Sequence, residues 1–219
     1  MTIAEQALTY VTANQILGLG TGRAASEFVN ALGRRVQAGL KIRGVPTSQA
    51  TADLAGRLGI PLTTLAEVAE LDTVFDGADE VDPEFRLIKG YGGALVREKI
   101  VAASARKHVV LVGAEKLVSV LGSRGKLPIE VVPYGVPLVQ RRLARLGMAA
   151  VVRGGAQTPF VTDNGNYILD AAIQPLKDPA GLEQQLLAIP GVVGTGLFLG
   201  MAEVVLIQYP DHVETRQRP

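Results

Sequence analysis

Ile16-Leu-Gly-Leu-Gly-Thr-Gly-Arg-Ala24 is the stretch on which the reading of the fold turns. Ile16 to Leu19 form a short apolar run that predicts a strand, and Gly20 and Gly22, which follow, predict a tight turn. A helix is expected from about Ala24 to Leu32, with Phe28 and Leu32 spaced i, i+4 on one face and Gly33 placed to end it. The unit then repeats. Lys41 to Val45 predict a strand, Pro46-Thr-Ser48 a turn and helix N-cap, and Gln49 to Leu58 a helix stopped by Gly59. Short strands are expected near Leu62 to Leu65 and Thr73 to Phe75. A second glycine-rich stretch, Lys89-Gly-Tyr-Gly-Gly93, leads into a helix from Ala94 to about Arg106 and a buried strand at Val109 to Val112. Strands alternating with helices in this way predict βαβ units, hence an α/β fold: a Rossmann-like sheet with helices on both faces.

The texture changes beyond Gly125. A strand at Ile129 to Val132, a helix at Val136 to Leu146 and a strand at Ala149 to Arg153 precede a hairpin turn at Asp163-Asn-Gly165. A helix opened by Asp178-Pro179 and a strand at Val192 to Phe198 complete the order β-α-β-β-α-β, that of a smaller ferredoxin-like α+β domain. Val204 to Ile207 are expected to rejoin the first sheet. The expected division is residues 1–125 and 200–219 as a Rossmann-like catalytic domain and 126–199 as the ferredoxin-like domain.

Composition narrows the function classes. Of 219 residues, 22 are Lys or Arg and 21 Asp or Glu, and a net charge of +1 gives no footprint for nucleic acid. Without cysteine there are no disulfides, thiolate metal sites or cysteine nucleophiles. Two histidines, His108 and His212, leave little for a histidine-based metal site or triad. No signal peptide or membrane span is apparent, so a cytoplasmic protein without membrane contact is the default expectation. Acid–base chemistry here would fall to carboxylates.

Four places could carry it. Gly18-Leu-Gly-Thr-Gly-Arg23 lies between strand and helix, where glycines let backbone N–H groups approach an anion. The dinucleotide fingerprint fails, because its third glycine would fall on Arg23 and no acidic residue occurs from Phe28 through Ala52. A small phosphate ligand fits better, and a ligand-free turn is the alternative. Asp76-Gly-Ala-Asp-Glu80 follows a strand, where open α/β sheets bind ligands, although Asp-Gly is also an ordinary turn signal. Glu98 shares a helix face with Ala94, Leu95, Val101 and Ala102; a carboxylate among apolar neighbours is desolvated, which raises its affinity for a proton. The competing reading is a surface salt bridge with Arg97 or Lys99. Lys116, past the strand at Val109 to Val112, is a point charge suited to phosphate or simply exposed. Arg141, Arg142 and Arg145 read as a solvated helix face.

Taken in register, Gly18-Leu-Gly-Thr-Gly22, Val45-Pro-Thr-Ser48, Asp76-Gly-Ala-Asp-Glu80, Leu87-Ile-Lys-Gly-Tyr-Gly-Gly-Ala-Leu95 and Arg97-Glu-Lys99 resemble ribose-5-phosphate isomerases of type A. The likeness continues through Leu127-Pro-Ile-Glu-Val131, Val161-Thr-Asp-Asn-Gly-Asn166 and Ile189-Pro-Gly-Val-Val193 to Gly196-Leu-Phe198. The resemblance implies metal-independent, cofactor-free interconversion of D-ribose 5-phosphate and D-ribulose 5-phosphate through a cis-enediolate, in the non-oxidative pentose phosphate pathway. It implies Glu98 as the base on carbon, with Asp76, Asp79 and Lys89 binding the opened sugar and assisting protons on its oxygens. It extends substrate contact to Thr21, Gly22, Arg23, Ala24, Gly77, Ala78, Gly90, Tyr91, Gly92 and Lys116, the first four and Lys116 chiefly at the phosphate. A cytoplasmic homodimer is implied, with a pentose phosphate as the only partner besides its own copy.

Two departures stand out. Many relatives have Gly-Thr-Gly-Ser-Thr where this chain has Gly20-Thr-Gly-Arg-Ala24, which exchanges two hydroxyls for a guanidinium that can take over phosphate binding. Many relatives also carry a lysine before the first strand, whereas the first lysine here is Lys41. Two other classes stay open on sequence: a CoA transferase using Glu98 as nucleophile, and a non-catalytic sugar-phosphate sensor.

Overall fold

In the computed structural model, which describes residues 1–218, alternation along β1 (Ile16–Leu19) sends the fully buried Leu17 and Leu19 to one face and Gly18 to the other. The leucine face receives α2 (Arg23–Gln37). Phe28, Val29 and Leu32 pack there with Phe75, Val109 and Leu111, and the Phe28 and Phe75 rings stack at 4.2 Å. The glycine face is pressed by α4 (Leu95–Ala103): a Cβ on Gly18 would lie 2.6 Å from Val74 Cγ2 and 2.7 Å from Val101 Cγ1. Helices thus cover both faces, as expected.

The sheet runs β13-β12-β6-β3-β1-β2. β2 (Arg43–Pro46), β3 (Thr73–Gly77), β6 (His108–Gly113) and β12 (Val204–Gln208) are parallel to β1, and β13 (Val213–Gln217) pairs antiparallel with β12. α1 (Ile3–Ala7) opens with a Thr2–Glu5 capping box, and α3 (Gln49–Arg57) is capped by Ser48. Three local expectations are corrected. Gly33 does not end α2: a Cβ there would lie 2.8 Å from Leu58 Cβ, so the glycine serves close packing and the helix runs on to Gln37. Leu62 to Leu65 make no strand beyond a single bridge from Leu62 to Gly44. Val192 to Phe198 break into two strands, β10 (Val192–Thr195) and β11 (Leu197–Phe198), in different sheets. The break is at Gly196, whose N–H donates to Pro128 O and whose carbonyl accepts from Lys89 N, with no room for a Cβ.

The chain divides into two compact units, one of residues 1–78, 97–117 and 200 onward, the other of 79–96 and 118–199. Residues 79–96 and 118–125, expected with the parallel sheet, fall in the second unit. The reason is pairing: β4 (Glu80–Val81) and β5 (Leu87–Ile88) join β11 in a three-stranded antiparallel sheet. The rest of this unit is a four-stranded antiparallel sheet ordered β10-β7-β9-β8, formed with β7 (Lys126–Val131), β8 (Ala150–Val152) and β9 (Tyr167–Ala172). With α5 (Val136–Arg145) and α6 (Pro179–Leu187) it has the ferredoxin-like strand order. Leu127, Ile129 and Val131 of β7 meet Val139 and Leu143 of α5 in its core. Among the described residues no helix is long and apolar enough to cross a membrane.

Candidate active site

The turn after β1 is drawn onto the end of β3. Gly20 N donates to Phe75 O at 2.9 Å, and a Cβ on Gly20 would lie 2.3 Å from Asp76 Oδ1 and 2.5 Å from Phe75 O, so only glycine permits the approach. Thr21 N and Gly77 N donate to Asp76 Oδ1 at 3.1 and 2.7 Å. Asp76 is 1% exposed and lies within β3, so the bland acidic-turn reading of this position is excluded. Gly22, at φ 103°, is the N-cap of α2 and supplies no side-chain cap. The first-turn amides of α2, beginning at the exposed Arg23 and half-buried Ala24, therefore keep the anion-binding character expected of a helix start.

The Thr21 hydroxyl turns inward. It lies 2.7 Å from Thr47 Oγ1 and donates to Ser48 Oγ at 2.8 Å; Ser48 Oγ donates to Thr51 Oγ1 at 3.1 Å, and Thr51 Oγ1 to Gly20 O at 2.9 Å. Thr47, Ser48 and Thr51 are buried. This relay ties the turn to the start of α3, and sequence reading missed it. Its one visible signal was the Ser48 cap; the link to Thr21 spans 27 residues.

Glu98 is 4% exposed, against the surface salt-bridge reading. Its place follows from helix period: Val101 and Ala102, three and four residues on, pack with Val74 against the sheet, so Glu98 shares their face one turn nearer the helix start. α4 leads back to the beginning of β6, so that turn lies toward the carboxyl ends of the strands. Alternation puts Asp76 on the same sheet face as Val74. Lys116 ends the short 3-10 turn Ala114–Lys116 directly after β6 and is half-buried. This unit thus gathers Thr21, Gly22, Asp76, Gly77 and Glu98 around one end of its sheet.

In the second unit, Asp79 Oδ2 accepts from Tyr91 N at 2.9 Å and Asp79 N donates to Ile88 O at 2.8 Å. Lys89 is 2% exposed, its Nζ 5.4 Å from the Phe198 ring centroid. Gly90 is buried and Gly92 exposed. Burial first, then the Asp79 and Glu80 carboxylates, push the Tyr91 phenol up to about 12; its hydroxyl donates to Lys126 O at 3.3 Å. Glu80, although part of the acidic run, takes the amides of Gly122 and Arg124 at 2.6 and 2.8 Å and serves to anchor that turn. Among the described residues no three His, Asp or Glu side chains assemble as metal ligands.

A buried carboxylate on a helix and a glycine turn on a strand end do not by themselves name a reaction. The family pattern of ribose 5-phosphate isomerase A (phosphoriboisomerase A) matches residues 43–212. The chain belongs to this family. The ribose-5-phosphate isomerase A of Roseiflexus castenholzii is 51% identical over 219 residues, covering 99% of this chain and 94% of that one. The Sinorhizobium fredii protein of the same name is 47% identical over 97% of this chain and 94% of its own. Among solved structures, ribose 5-phosphate isomerase A from Methanocaldococcus jannaschii superposes with a TM-score of 0.93 at 40% identity, over 98% of this chain and 96% of that one. A D-ribose-5-phosphate isomerase in complex with phospho-erythronic acid gives 0.95 at 38% identity, over 99% and 96%. Membership of the ribose-5-phosphate isomerase A family agrees with the α/β fold and with the motif order along the chain.

Proposed function

We propose that this chain interconverts D-ribose 5-phosphate and D-ribulose 5-phosphate, and that Glu98 is the base that moves hydrogen between C2 and C1. The observation that carries the reading is the burial of Glu98 on the sheet-facing side of α4. A carboxylate shielded there is a competent proton acceptor toward a carbon acid. Family membership and the analogue complex of a relative add support.

In the forward direction the Glu98 carboxylate takes the C2 proton of the opened aldose. The electron pair becomes the C1–C2 double bond of a cis-enediolate, and negative charge develops on O1. Delivery of the proton from Glu98 to C1, with transfer of the O2 proton to O1, leaves the ketose. Lys89 is assigned to stabilise the oxygen charge, and Asp76 and Asp79 to bind hydroxyls and pass their protons, by their match to the family motifs. A positioned general base is worth ~10²- to 10⁴-fold, and one oxyanion donor about 3 to 4 kcal/mol. The remaining acceleration is assigned to orientation by the phosphate, held by the first-turn amides of α2, Arg23 and Lys116. The reading includes action without metal, as a cytoplasmic homodimer.

The test is turnover of ribose 5-phosphate in EDTA by the wild type and by Glu98→Gln. Wild-type turnover in EDTA and a loss of about 10³-fold or more in kcat with KM kept are expected. Full activity in the variant overturns the assignment of Glu98; activity abolished by EDTA and restored by Mg²⁺ overturns the metal-free mechanism.

A further inference from the structure

Arg153 follows β8 directly, and all three guanidinium nitrogens are engaged. Nε donates to Asp170 Oδ2 at 3.0 Å and Nη2 to Asp170 Oδ1 at 2.6 Å, a two-pronged pair across the β8–β9 ladder. Nη1 carries two further protons and donates to Gly90 O at 2.9 Å and Tyr91 O at 3.1 Å. Both side chains of the ion pair are only 15% exposed. Phe160, whose N–H donates to Arg153 O, closes the far end of the same loop: a Cβ on Gly93 would lie 2.5 Å from the Phe160 ring. One strand end and the turn behind it therefore clasp the whole Lys89–Gly93 loop.

The consequence lies in one peptide unit. The Gly90 carbonyl that accepts from Arg153 and the Tyr91 N–H that donates to Asp79 belong to the same planar trans peptide, in which the two groups point to opposite sides. Fixing the oxygen fixes the direction of the N–H. A charged donor on the oxygen also polarises the N–H and strengthens its bond to the carboxylate. Lysine cannot replace this device, because an ammonium has no planar fork to serve Asp170 and two carbonyls together.

We propose that Arg153 is a positioning residue for the isomerisation, acting through the Gly90–Tyr91 peptide to aim Asp79 and hold the adjoining Lys89. This rests on the roles given to Asp79 and Lys89 under the proposed function. Arg153 touches neither sugar nor phosphate in this scheme, so its loss falls on the chemical step.

The test uses the full chain with Arg153→Lys, which keeps a cation for Asp170, and Arg153→Ala, which keeps none. Steady-state rates on ribose 5-phosphate are measured together with amide exchange at Tyr91, Asn164 and Asn166. The expected result is kcat down about 10- to 100-fold with KM within about three-fold. Exchange at Tyr91 quickens at least about ten-fold, while Asn164 and Asn166, in the turn held by Glu130, keep wild-type rates. If Arg153→Ala does not fold, Arg153→Lys decides. A folded Arg153→Lys chain with wild-type kcat, a loss carried by KM, or exchange quickened equally at all three amides overturns the proposal. If the wild type turns over no ribose 5-phosphate, the proposed function fails separately, and an unchanged Tyr91 rate then overturns the Arg153–Asp79 link on its own.

Discussion

The turn at Gly20–Gly22 is closed chiefly by hydroxyls, a relay from Thr21 through Ser48 and Thr51 back to Gly20 O, beside one bond from Thr21 N–H to the Asp76 carboxylate. The loop at Lys89–Gly93 is closed by charge, with Arg153 on its carbonyls and Asp79 on the Tyr91 amide. Both need glycine. Gly20 needs it for close approach to β3, and Gly22, Gly90 and Gly93 hold positive φ of 103°, 101° and 91°. The first arrangement leaves the first-turn amides of α2 without a side-chain cap; the second fixes the Gly90–Tyr91 peptide and, through its N–H, the Asp79 carboxylate.

The largest effect expected from breaking this contrast is at Gly20→Ala. The added carbon would collide with Asp76 Oδ1 and Phe75 O, and the backbone must move. A stability loss of about 1–3 kcal/mol together with a fall in kcat/KM of about 10²-fold is expected, read by urea denaturation and steady-state rates. A stable, fully active Gly20→Ala would show that the turn need not touch β3.

Arg23→Ala sharpens the contrast from the binding side. Removing the guanidinium is expected to raise KM for ribose 5-phosphate about ten-fold, some 1.4 kcal/mol, with kcat nearly kept. An unchanged KM would give the phosphate to backbone amides and Lys116 alone.

The smallest effect concerns Tyr91. Its phenol is raised from 10.0 to about 12 in the folded chain, so the folded state holds the proton longer than the unfolded one. The stabilisation is complete below about pH 10 and is lost as pH rises toward 12. Urea midpoints measured from pH 9.5 to about 11.5 should fall more steeply in the wild type than in Tyr91→Phe; parallel curves would contradict it. The half-exposed ring keeps the difference small.

Much of this was legible in the residues. β1, its glycine turn and the helix beyond follow from local periodicity, whereas the spacing of Glu98 to Val101 and Ala102 left burial and a surface salt bridge both open until the packing of α4 decided for burial. Gly33 was misread because a glycine at a helix end and a glycine under a crossing Leu58 look alike in one dimension. Gly196 was invisible for the same reason: its need for space comes from Lys89 and Pro128, far along the chain. Arg153 carried no local signal, since its partners at Gly90 and Tyr91 are backbone carbonyls 63 and 62 residues away. Long-range hydrogen bonds to main chain leave no pattern that spacing can reveal.

The placing of β12 beside β6 has a consequence for synthesis. The strand that covers β6 is drawn from residues 204–208, and Gln208 Oε1 in turn accepts from the amide of Ile3 at 2.8 Å. A nascent chain emerging from the ribosome thus carries β6, with its apolar Val109 to Val112, as a bare edge on that side until residues 204–208 are made. Stalling shortly before Val204 would leave a sticky, unfinished sheet, open to aggregation until β12 is made and covers it.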